Sequence, residues 1–403
     1  MNNNKMFDYR AIGKNDDYYI ITNDKNATLN AILSKGFIID SLGRKLTSLL
    51  PIGTLIKYDT NWEYVNIPYI DIISEQKNNI MDSIIGFAIG DAFGVPVEFL
   101  DRETIRKINL KDMIGCDTTS NLNSRWGKII PAGSWSDDTS MNIATMDSII
   151  KNSGEINYKD IMDRFLLWIK NNEYTSFGTS FGLGNIVLSA MKRYVSGISP
   201  LECGGTKLKD NGNGSLMRIL PFSIYCIVNN LSELETVELI SNASKITHGH
   251  DISKMSCFIY TEYLRNIIET KNPILSLDII QQIDYSSYFS KEAIEAHRQL
   301  LKGNFIFINE DNINASGYVV DTLESVIYSI INSDDFESSV ETAVNMGYDT
   351  DTVAGLTGAI ASILYGRNTI PKRWLEKLKR LDYLDKMIDS FEKCLTQKKS
   401  YDK

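Results

Sequence analysis

Histidine and cysteine are scarce in this sequence of 403 residues, which contains three histidines and five cysteines. The cysteines are spread along the chain and form no Cys-x-x-Cys pair, so we expect neither a disulfide framework nor a thiolate zinc site. With so few soft ligands, any bound metal would be a hard cation held by oxygen atoms.

Basic charge, proline and long apolar runs are also in short supply. Lys and Arg number 42 against 51 Asp and Glu, and the formal net charge of −9 argues against a sequence-independent nucleic-acid binder. Only 8 prolines argue against a Pro-rich scaffold. No run reaches the roughly 18 apolar residues of a membrane span. The start, MNNNKMFDYR, lacks the apolar segment of a secretory signal, so we expect a cytoplasmic protein.

Residues 1–76 differ in pattern from the rest of the chain. Short β-rich runs, Tyr18–Thr22 and Thr54–Tyr58, are separated by Asn, Asp, Gly and Lys clusters typical of turns. We expect a helix between them, near Leu29–Leu50. This region therefore predicts a small α+β module, whose role the sequence does not indicate.

From Asn78 onward, apolar residues recur at spacings of three and four, which predicts long helices. We interpret residues 78–395 as one all-helical domain of roughly ten or more helices, followed by a polar, fraying tail at 396–403. Two of the predicted helices are dense in small residues, Gly86–Gly94 and Ala354–Ala361. Because an interior glycine costs up to about 1 kcal/mol, such helices are typical of the close-packed centre of a bundle.

Two short acidic segments carry the strongest chemical signal: SWSDDTSM at Ser134–Met141 and GYDTDT at Gly347–Thr352. Each places two carboxylates and several hydroxyls at the start of an apolar helix. N-capping explains either segment alone, because Ser, Thr and Asp are favoured caps and acids in the first turn complement the helix dipole.

Taken together, Asp137, Asp138, Asp349 and Asp351 favour a metal centre. Four carboxylates that meet in a helical core are too costly to bury unless they are neutralised. Two Mg²⁺ or Mn²⁺ ions, held by carboxylate and hydroxyl oxygens, would neutralise them without any Lys or Arg. The two segments lie far apart in the sequence, so this interpretation requires a fold that brings them together.

Glu98, in the stretch GDAFGVPVEF, is a further candidate. Pro96 should end the preceding helix near Val95, which places Glu98 just beyond a helix end, where a loop can direct it into a cleft. A solvated loop glutamate is the alternative. Asp91 lies inside the same helix among apolar neighbours, where a buried hydrogen-bonding role is an alternative to metal ligation.

Two further motifs are compatible with anion binding. NGNGSLMR at Asn211–Arg218 is a Gly/Asn loop that leads into an apolar helix, and backbone amides at such a start can hold a phosphate. An ordinary turn with Ser215 at or near the N-cap explains it equally well, since neither a Walker nor a Rossmann fingerprint is present. In THGH at Thr247–His250, His248 either meets the dipole of a helix C-terminus or contacts a substrate phosphate or ribose.

Five motifs, GDAFGVPVEF, SWSDDTSM, NGNGSLMRILP, ITHGH and GYDTDTVAGLTGAIASILYG, occur in this order. Through these motifs and their order, residues 78–370 resemble the ADP-ribosylglycohydrolase family, which includes the dinitrogenase-reductase-activating glycohydrolase. The resemblance implies an all-α orthogonal multi-helix bundle with a binuclear Mg²⁺ centre (Mn²⁺ in some members). It also implies hydrolysis of the bond between ADP-ribose C1″ and its acceptor.

The resemblance further assigns roles by motif position. It makes metal ligands of Ser136, Asp137, Asp138, Asp349, Asp351 and Thr352. It makes catalytic residues of Glu98, Asp138 and Asp351, with Glu98 near the reacting ribose. It makes a diphosphate site of Asn213, Gly214 and Ser215, and it places His248 near the ribose or phosphates.

The sequence departs from the family pattern at two positions. Many relatives have Phe-Asp-Ile-Gly where this chain has Phe181-Gly-Leu-Gly184, so Gly182 replaces an acid that in some relatives touches the substrate ribose or takes part in the chemistry. Tyr348 stands where a small or acidic residue is more usual. Residues 1–76 lie outside the resemblance, which also leaves open whether the acceptor is Arg, Ser, a nucleic-acid base or a free compound.

We therefore predict a metal-dependent hydrolase that removes ADP-ribose from a modified protein or another acceptor through an oxocarbenium-like transition state. Two divalent ions would bind ribose hydroxyls and lower the pKa of a bridging water, while Glu98 would deprotonate that water or assist the leaving group. Two alternatives stay open. One is an immunity or binding protein that occludes a partner ADP-ribosyltransferase, and the other is a metal hydrolase of another ADP-ribosyl or nucleotide compound.

Overall fold

A computed structural model of the chain describes residues 80–116 and 129–401, together with six short strands in the N-terminal region. The chain divides into two compact units. The first contains Met1–Lys77, Asn272–Gln282 and Gln299–Asn312, and the second contains the remaining residues. The second unit begins at Asn78, where the helical periodicity of the sequence also begins. Sequence reasoning assigned the two later segments of the first unit to the helical domain.

The strands of the first unit form one antiparallel sheet in the order β4-β3-β1-β2-β5-β6. They are β1 (Asp8–Ile12), β2 (Tyr18–Thr22), β3 (Phe37–Asp40), β4 (Lys45–Leu46), β5 (Leu55–Tyr58) and β6 (Asn61–Tyr64). Both predicted strands are present, as β2 and β5. The helix predicted near Leu29–Leu50 is wrong where β3 and β4 lie, because the aromatic and β-branched run of β3 favours a strand. The rest of that stretch lies outside the described residues.

Sixteen α-helices occur in the described part of the chain, which confirms the all-helical prediction for the second unit. The first eight are α1 (Asp82–Gly94), α2 (Arg102–Ile108), α3 (Asp137–Lys151), α4 (Tyr158–Asn171), α5 (Asn185–Val195), α6 (Leu220–Val228), α7 (Glu233–Lys245) and α8 (Asp251–Thr270). The others are α9 (Pro273–Gln281), α10 (Lys291–Ala296), α11 (Arg298–Leu301), α12 (Val319–Ile331), α13 (Phe336–Asn345), α14 (Thr350–Tyr365), α15 (Lys372–Lys377) and α16 (Leu381–Tyr401).

The last helix changes one expectation. Helix α16 continues to Tyr401, so residues 396–401 are helical and do not form a frayed tail. Lysine and glutamine, which are common in this stretch, are good helix formers, and their polarity does not by itself end a helix.

Helices α1 and α14 form the centre of the second unit and touch backbone to backbone. A Cβ atom built on Gly86, Gly90 or Gly94 would lie 2.2, 1.9 or 2.4 Å from a carbonyl oxygen of α14. Glycine at every fourth position keeps one face of α1 free of side chains, so the helices approach closely. Both helices are almost entirely buried, as expected from their small residues.

None of the described helices alone has the length and apolarity of a membrane span. Asp82–Val97 and Arg102–Ile108 reach that length and composition only as a pair, and the pair is bent by 99°.

The close contact of α1 with α14 predicts a large cost for a single methyl group. We expect Gly90→Ala to lower the free energy of unfolding by about 1–3 kcal/mol, because its Cβ overlaps the Ala354 carbonyl and the backbones must move apart. Thermal and denaturant unfolding measure this cost. Gly184→Ala is the control, since nothing lies within 4 Å of its Cβ position. Equal stability of the two variants would contradict the packing argument.

Candidate active site

Helix α3 begins at the first acidic segment. Ser136 is its N-cap and accepts a hydrogen bond from the Asp138 backbone N–H at 3.2 Å. A second cap comes from α1: the carboxylate of Asp91 accepts from the backbone N–H of Ser136 at 3.0 Å and of Thr139 at 3.0 Å, and from the Thr139 hydroxyl at 2.6 Å. Asp91 thus has the buried hydrogen-bonding role considered from the sequence, and it fixes the start of α3 against α1.

Helix α14 begins at the second acidic segment, with Asp349 as its N-cap residue and Asp351 in its first turn. The Thr350 hydroxyl donates to the Gly94 carbonyl at 2.8 Å, so the start of α14 is attached to the end of α1. The chain then turns at Pro96, as predicted, and Glu98 follows the short 3-10 helix Val95–Val97. Three segments of chain therefore meet at one end of the central helix pair.

The carboxylates of the two acidic segments converge at this end. Oxygens of Glu98, Asp349 and Asp351 lie within 4.8 Å of one another. The side chain of Thr352, on α14, lies close enough to Asp138, on α3, to offset part of the rise in pKa that burial gives that carboxyl. The structure thus brings together the acids and hydroxyls that the sequence singled out.

Burial and mutual repulsion raise the pKa values of these acids. Desolvation, followed by the charges of Asp91 and Asp349, raises the pKa of Asp137 to about 8. Desolvation and the charge of Asp137 raise the pKa of Asp138 well above its usual range. The pKa of Asp351 rises in the same way, through desolvation and then the charge of Glu98. The groups that perturb these carboxylates most, after burial, are other carboxylates, so the cluster has to be neutralised by protons or by cations.

The cluster fits hard divalent cations better than capping alone. The Ser136 side chain does cap α3, but the Asp349 side chain makes no capping bond. Oδ2 of Asp138 is buried and has no hydrogen-bond partner among the described residues, although a buried carboxylate oxygen normally has one. An oxygen-only donor set with a free buried oxygen matches the ligand preference of Mg²⁺ or Mn²⁺.

Gly182, the departure from the family pattern, lies directly against this cluster. Its φ is +98°, and a Cβ built there would lie 2.0 Å from Oδ1 of Asp137. No side chain fits at this position without displacing the Asp137 carboxylate. Asp137 therefore occupies the space that a side chain at position 182 would need.

Tyr348 and Phe99 flank the acids on the outside. Both have left-handed backbones, with φ of +59° and +64°, and both side chains are exposed. Two backbone hydrogen bonds join the loops, from Phe99 N–H to the Tyr348 carbonyl at 2.5 Å and from Tyr348 N–H to the Leu100 carbonyl at 2.7 Å. Residues without a bulky side chain adopt this backbone more easily than tyrosine does.

The glycine loop is adjacent to the acid cluster. Nδ2 of Asn213 donates to Oδ2 of Asp349 at 3.1 Å, and Asn211 accepts from Ser253 at the start of α8. Ser215 precedes a 3-10 turn without capping it, and its hydroxyl is fully buried against Ser244 and Cys257. The Ser215 side chain therefore faces the protein interior, and only backbone groups at this position are available to a ligand.

His248 lies on the other side of the glycine loop. Its ring is 1% exposed, and its Cε1 and Nε2 atoms lie 2.9 and 3.4 Å from the Cβ position of Gly214. The backbone of His248 is held by Ser244 of α7, and His250 is the N-cap of α8. The predicted loop and histidine are thus adjacent, and the loop also contacts the acids through Asn213.

Sequence reasoning missed the segment Ala315–Tyr318, which joins the glycine loop to the acids. The Asp349 N–H donates to the Ala315 carbonyl at 3.1 Å, and the Asn213 N–H donates to the Gly317 carbonyl at 3.0 Å. A Cβ at Gly317 would lie 2.9 Å from the Asp349 carboxylate. The Ser-Gly pair before an apolar helix was the available signal, but it is typical of any helix start.

The fold and the site define a helical enzyme with a carboxylate-lined centre beside an anion-compatible loop. A family model described as ADP-ribosylglycohydrolase matches residues 73–400, and the chain belongs to that family. It is therefore a glycosyl hydrolase that acts on ADP-ribosyl compounds, and the resemblance seen in the motifs is confirmed.

Individual relatives agree with this assignment. The ADP-ribosylarginine hydrolase Tri1 of Serratia proteamaculans is 29% identical over 337 residues, which cover 81% of this chain and 82% of that protein. The ADP-ribosyl-dinitrogen reductase glycohydrolase of Rhodospirillum rubrum is 27% identical over 304 residues, which cover 74% of this chain and 89% of that protein. A solved structure described as an ADP-ribosylglycohydrolase-related protein complex matches with a TM-score of 0.64 and 26% identity, covering 80% of this chain and 99% of that one.

The contact of Gly182 with Asp137 predicts an effect on cation binding. We expect Gly182→Ala to weaken Mn²⁺ binding by about tenfold or more, because the new methyl group displaces a carboxylate of the cluster. Calorimetric titration with Mn²⁺ measures the affinity. Gly178→Ala is a matched control, since Gly178 has a similar φ of +85° and open space at its Cβ position. An equal loss in both variants would attribute the effect to backbone strain and contradict the proposed contact.

Proposed function

We propose that the protein is a divalent-cation-dependent hydrolase that removes ADP-ribose from arginine side chains of modified proteins. The convergence of Glu98, Asp138 and Asp351 from three separate segments supports this proposal most strongly. The relatives named as ADP-ribosylarginine hydrolases support arginine as the acceptor. Glu98 is only partly buried and Tyr348 is exposed, which is compatible with a protein substrate that approaches from outside.

The residues that would hold two Mg²⁺ or Mn²⁺ ions are those of the two helix starts: Ser136, Asp137, Asp138, Asp349, Asp351 and Thr352. When bound, the ions supply Lewis acidity, which polarises substrate oxygens and lowers the pKa of a bound water. The proximity of Thr352 to Asp138 across the two helices supports this assignment.

Glu98 is suited to proton transfer. It is only partly buried, it stands on a loop after a helix end, and its carboxylate lies within 4.8 Å of Asp349 and Asp351 oxygens. The bond between the anomeric carbon and the acceptor breaks through an oxocarbenium-like state, which needs a base for water or an acid for the leaving group. Glu98 can take or give this proton without leaving its place at the edge of the cluster.

The glycine loop would bind the diphosphate of ADP-ribose through backbone groups. Asn213 and Gly214 lie between the acid cluster and His248, so a diphosphate held there places the attached ribose near the acids. Binding energy from the diphosphate then orients the scissile bond, although it takes no part in the bond breaking. Ser215 contributes only through its backbone, because its hydroxyl is committed to the interior.

The acids should be needed for turnover and not for folding. We expect Asp138→Asn and Asp351→Asn each to lower the rate of ADP-ribose release from an ADP-ribosylarginine protein at least about a hundredfold, while the melting temperature stays equal or rises because repulsion is removed. Glu202→Gln, an exposed acid outside the cluster, is the control. Excess EDTA should likewise stop the wild-type enzyme, and added Mg²⁺ or Mn²⁺ should restore it. Full activity of the variants or in EDTA would contradict the proposal.

A second candidate function is occlusion of a partner ADP-ribosyltransferase. The observation that favours it is the additional N-terminal sheet, which precedes the family match at residues 73–400. We expect hydrolysis to be the main activity, so that Asp351→Asn no longer reverses ADP-ribosylation by a transferase. Stoichiometric inhibition of the transferase by Asp351→Asn would favour occlusion instead, and a panel of ADP-ribosyl substrates would reveal another acceptor.

A further inference from the structure

A fully buried arginine lies behind the glycine loop. Arg218 is 0% exposed, its guanidinium stacks on the Phe165 ring at 5.4 Å, and it forms no ion pair with any described residue. Burial lowers the pKa of Arg218 to about 10, so it remains charged at neutral pH. A buried cation without a counter-charge is costly, and two of its nitrogens, Nε and Nη1, have no partner among the described residues.

Among the described residues, Thr247 is the one side chain that Arg218 hydrogen-bonds. Nη2 of Arg218 donates to the Thr247 hydroxyl oxygen at 2.6 Å and to the Ala243 carbonyl at 3.0 Å. The same hydroxyl oxygen lies 2.9 Å from Nδ1 of His248. Because a guanidinium can only donate, the Thr247 oxygen accepts from Arg218, and the Thr247 hydroxyl hydrogen points to another acceptor.

This direction of donation sets the tautomer of His248. Thr247 is fully buried, so its hydroxyl hydrogen needs an acceptor, and Nδ1 of His248 is the acceptor within reach. Burial and the charge of Arg218 lower the pKa of His248 to about 3, so the ring is neutral at physiological pH. A neutral ring that accepts at Nδ1 carries its proton on Nε2.

The Nε2 atom faces the glycine loop. It lies 3.4 and 3.7 Å from the Cβ positions of Gly214 and Gly212, and no described residue accepts a hydrogen bond from it. Any side chain at Gly214 would contact the imidazole, so glycine leaves this donor uncovered. A donor for which no described residue supplies an acceptor, directed at a loop suited to anions, indicates that a ligand supplies that acceptor.

We propose that Arg218 and Thr247 are positioning residues, which orient His248 as an Nε2–H donor to a diphosphate oxygen of the bound ADP-ribosyl group. This inference rests on the proposed function, since it takes the diphosphate to lie at the glycine loop. The buried charge of Arg218 adds an attractive potential for the anion and, through the Thr247 hydroxyl, prevents the opposite tautomer.

The tautomer can be measured without any ligand. The chain has three histidines, so selective ¹⁵N-histidine labelling gives few signals in an NMR spectrum. We expect a protonated Nε2 and an unprotonated Nδ1 for His248. His297 is an internal reference of the opposite kind, because its Nδ1 lies 2.7 Å from the Ala293 carbonyl, which can only accept. A protonated Nδ1 in His248 would overturn the proposed positioning of His248 by Arg218 and Thr247, whatever the enzyme hydrolyses.

Variants of Thr247 distinguish the effect of its hydroxyl hydrogen bond to His248 from the effect of its packing. Thr247→Val keeps the shape and removes the hydroxyl, so His248 should lose its single tautomer and ADP-ribose should bind about tenfold more weakly. Thr247→Ser restores the hydroxyl and should restore both the tautomer and the affinity. Titration with ADP-ribose, followed by calorimetry, gives the affinities. If Thr247→Val does not fold, the tautomer of the wild type and the affinity of Thr247→Ser still test the positioning of His248 by Arg218 and Thr247.

The outcomes distinguish this inference from the proposed function. Equal ADP-ribose affinities of the wild type and Thr247→Val, with a changed tautomer, would overturn the role of His248 and leave the hydrolase intact. No binding of ADP-ribose by the wild type would overturn the proposed function and, with it, the diphosphate contact.

Discussion

The repulsion between buried carboxylates is the constraint on which the site depends. Asp91, Asp137, Asp138, Asp349 and Asp351 all lie at one end of the central helix pair. Burial, and then the charges of neighbouring carboxylates, raise the pKa values of Asp137, Asp138 and Asp351. Asp91 offsets its own burial by accepting bonds from the start of α3, and its pKa rises only to about 6. The others have too few donors to do the same, so protons or cations have to neutralise them. The burial of these carboxylates thus underlies both the local structure at the start of α3 and the chemistry available at the site.

The glycines of α1 make this arrangement possible. A face without side chains lets α1 and α14 touch backbone to backbone, and their ends then lie at the same level. Thr350 attaches the start of α14 to Gly94, while Asp91 attaches the start of α3 to α1. Both acidic segments are therefore positioned by one helix. The interior glycines, which weaken α1 as an isolated helix, are compensated by the contact that aligns the acids.

Local features of the site could be predicted from the sequence, because they depend on short-range rules. Ser136 and Asp349 lie at helix starts, and the helix ends before Pro96, as capping and proline preferences indicate. The family resemblance supplied the fold, which local rules do not determine. The strands that replaced the expected helix near Leu29–Leu50 depend on pairing with distant strands, and periodicity does not report such pairing.

Other features could not be predicted, because they depend on which way a side chain turns. Ser215 stands in a motif that suggests ligand binding, yet the 3-10 turn after it directs its hydroxyl inward. Gly182 reads as a lost acid, and only the structure shows that Asp137 fills the space beside it. In each case the residue type indicated a position near the site, but the sequence did not show how the side chains there are oriented.

The glycine loop connects the two halves of the site. On one side Asn213 contacts Asp349 of the acid cluster, and on the other Gly214 contacts the ring of His248, behind which lie Thr247 and Arg218. The acid side is short of positive charge, and the arginine side has an unpaired cation and a donor without an acceptor. A ligand that joins an anionic diphosphate to a sugar would complement both, because its phosphates suit the donor side and its hydroxyls suit the acidic side once cations are present. Glycine at position 214 is important for this arrangement, because a Cβ there would lie 2.9 Å from the His248 ring and a side chain would cover its donor.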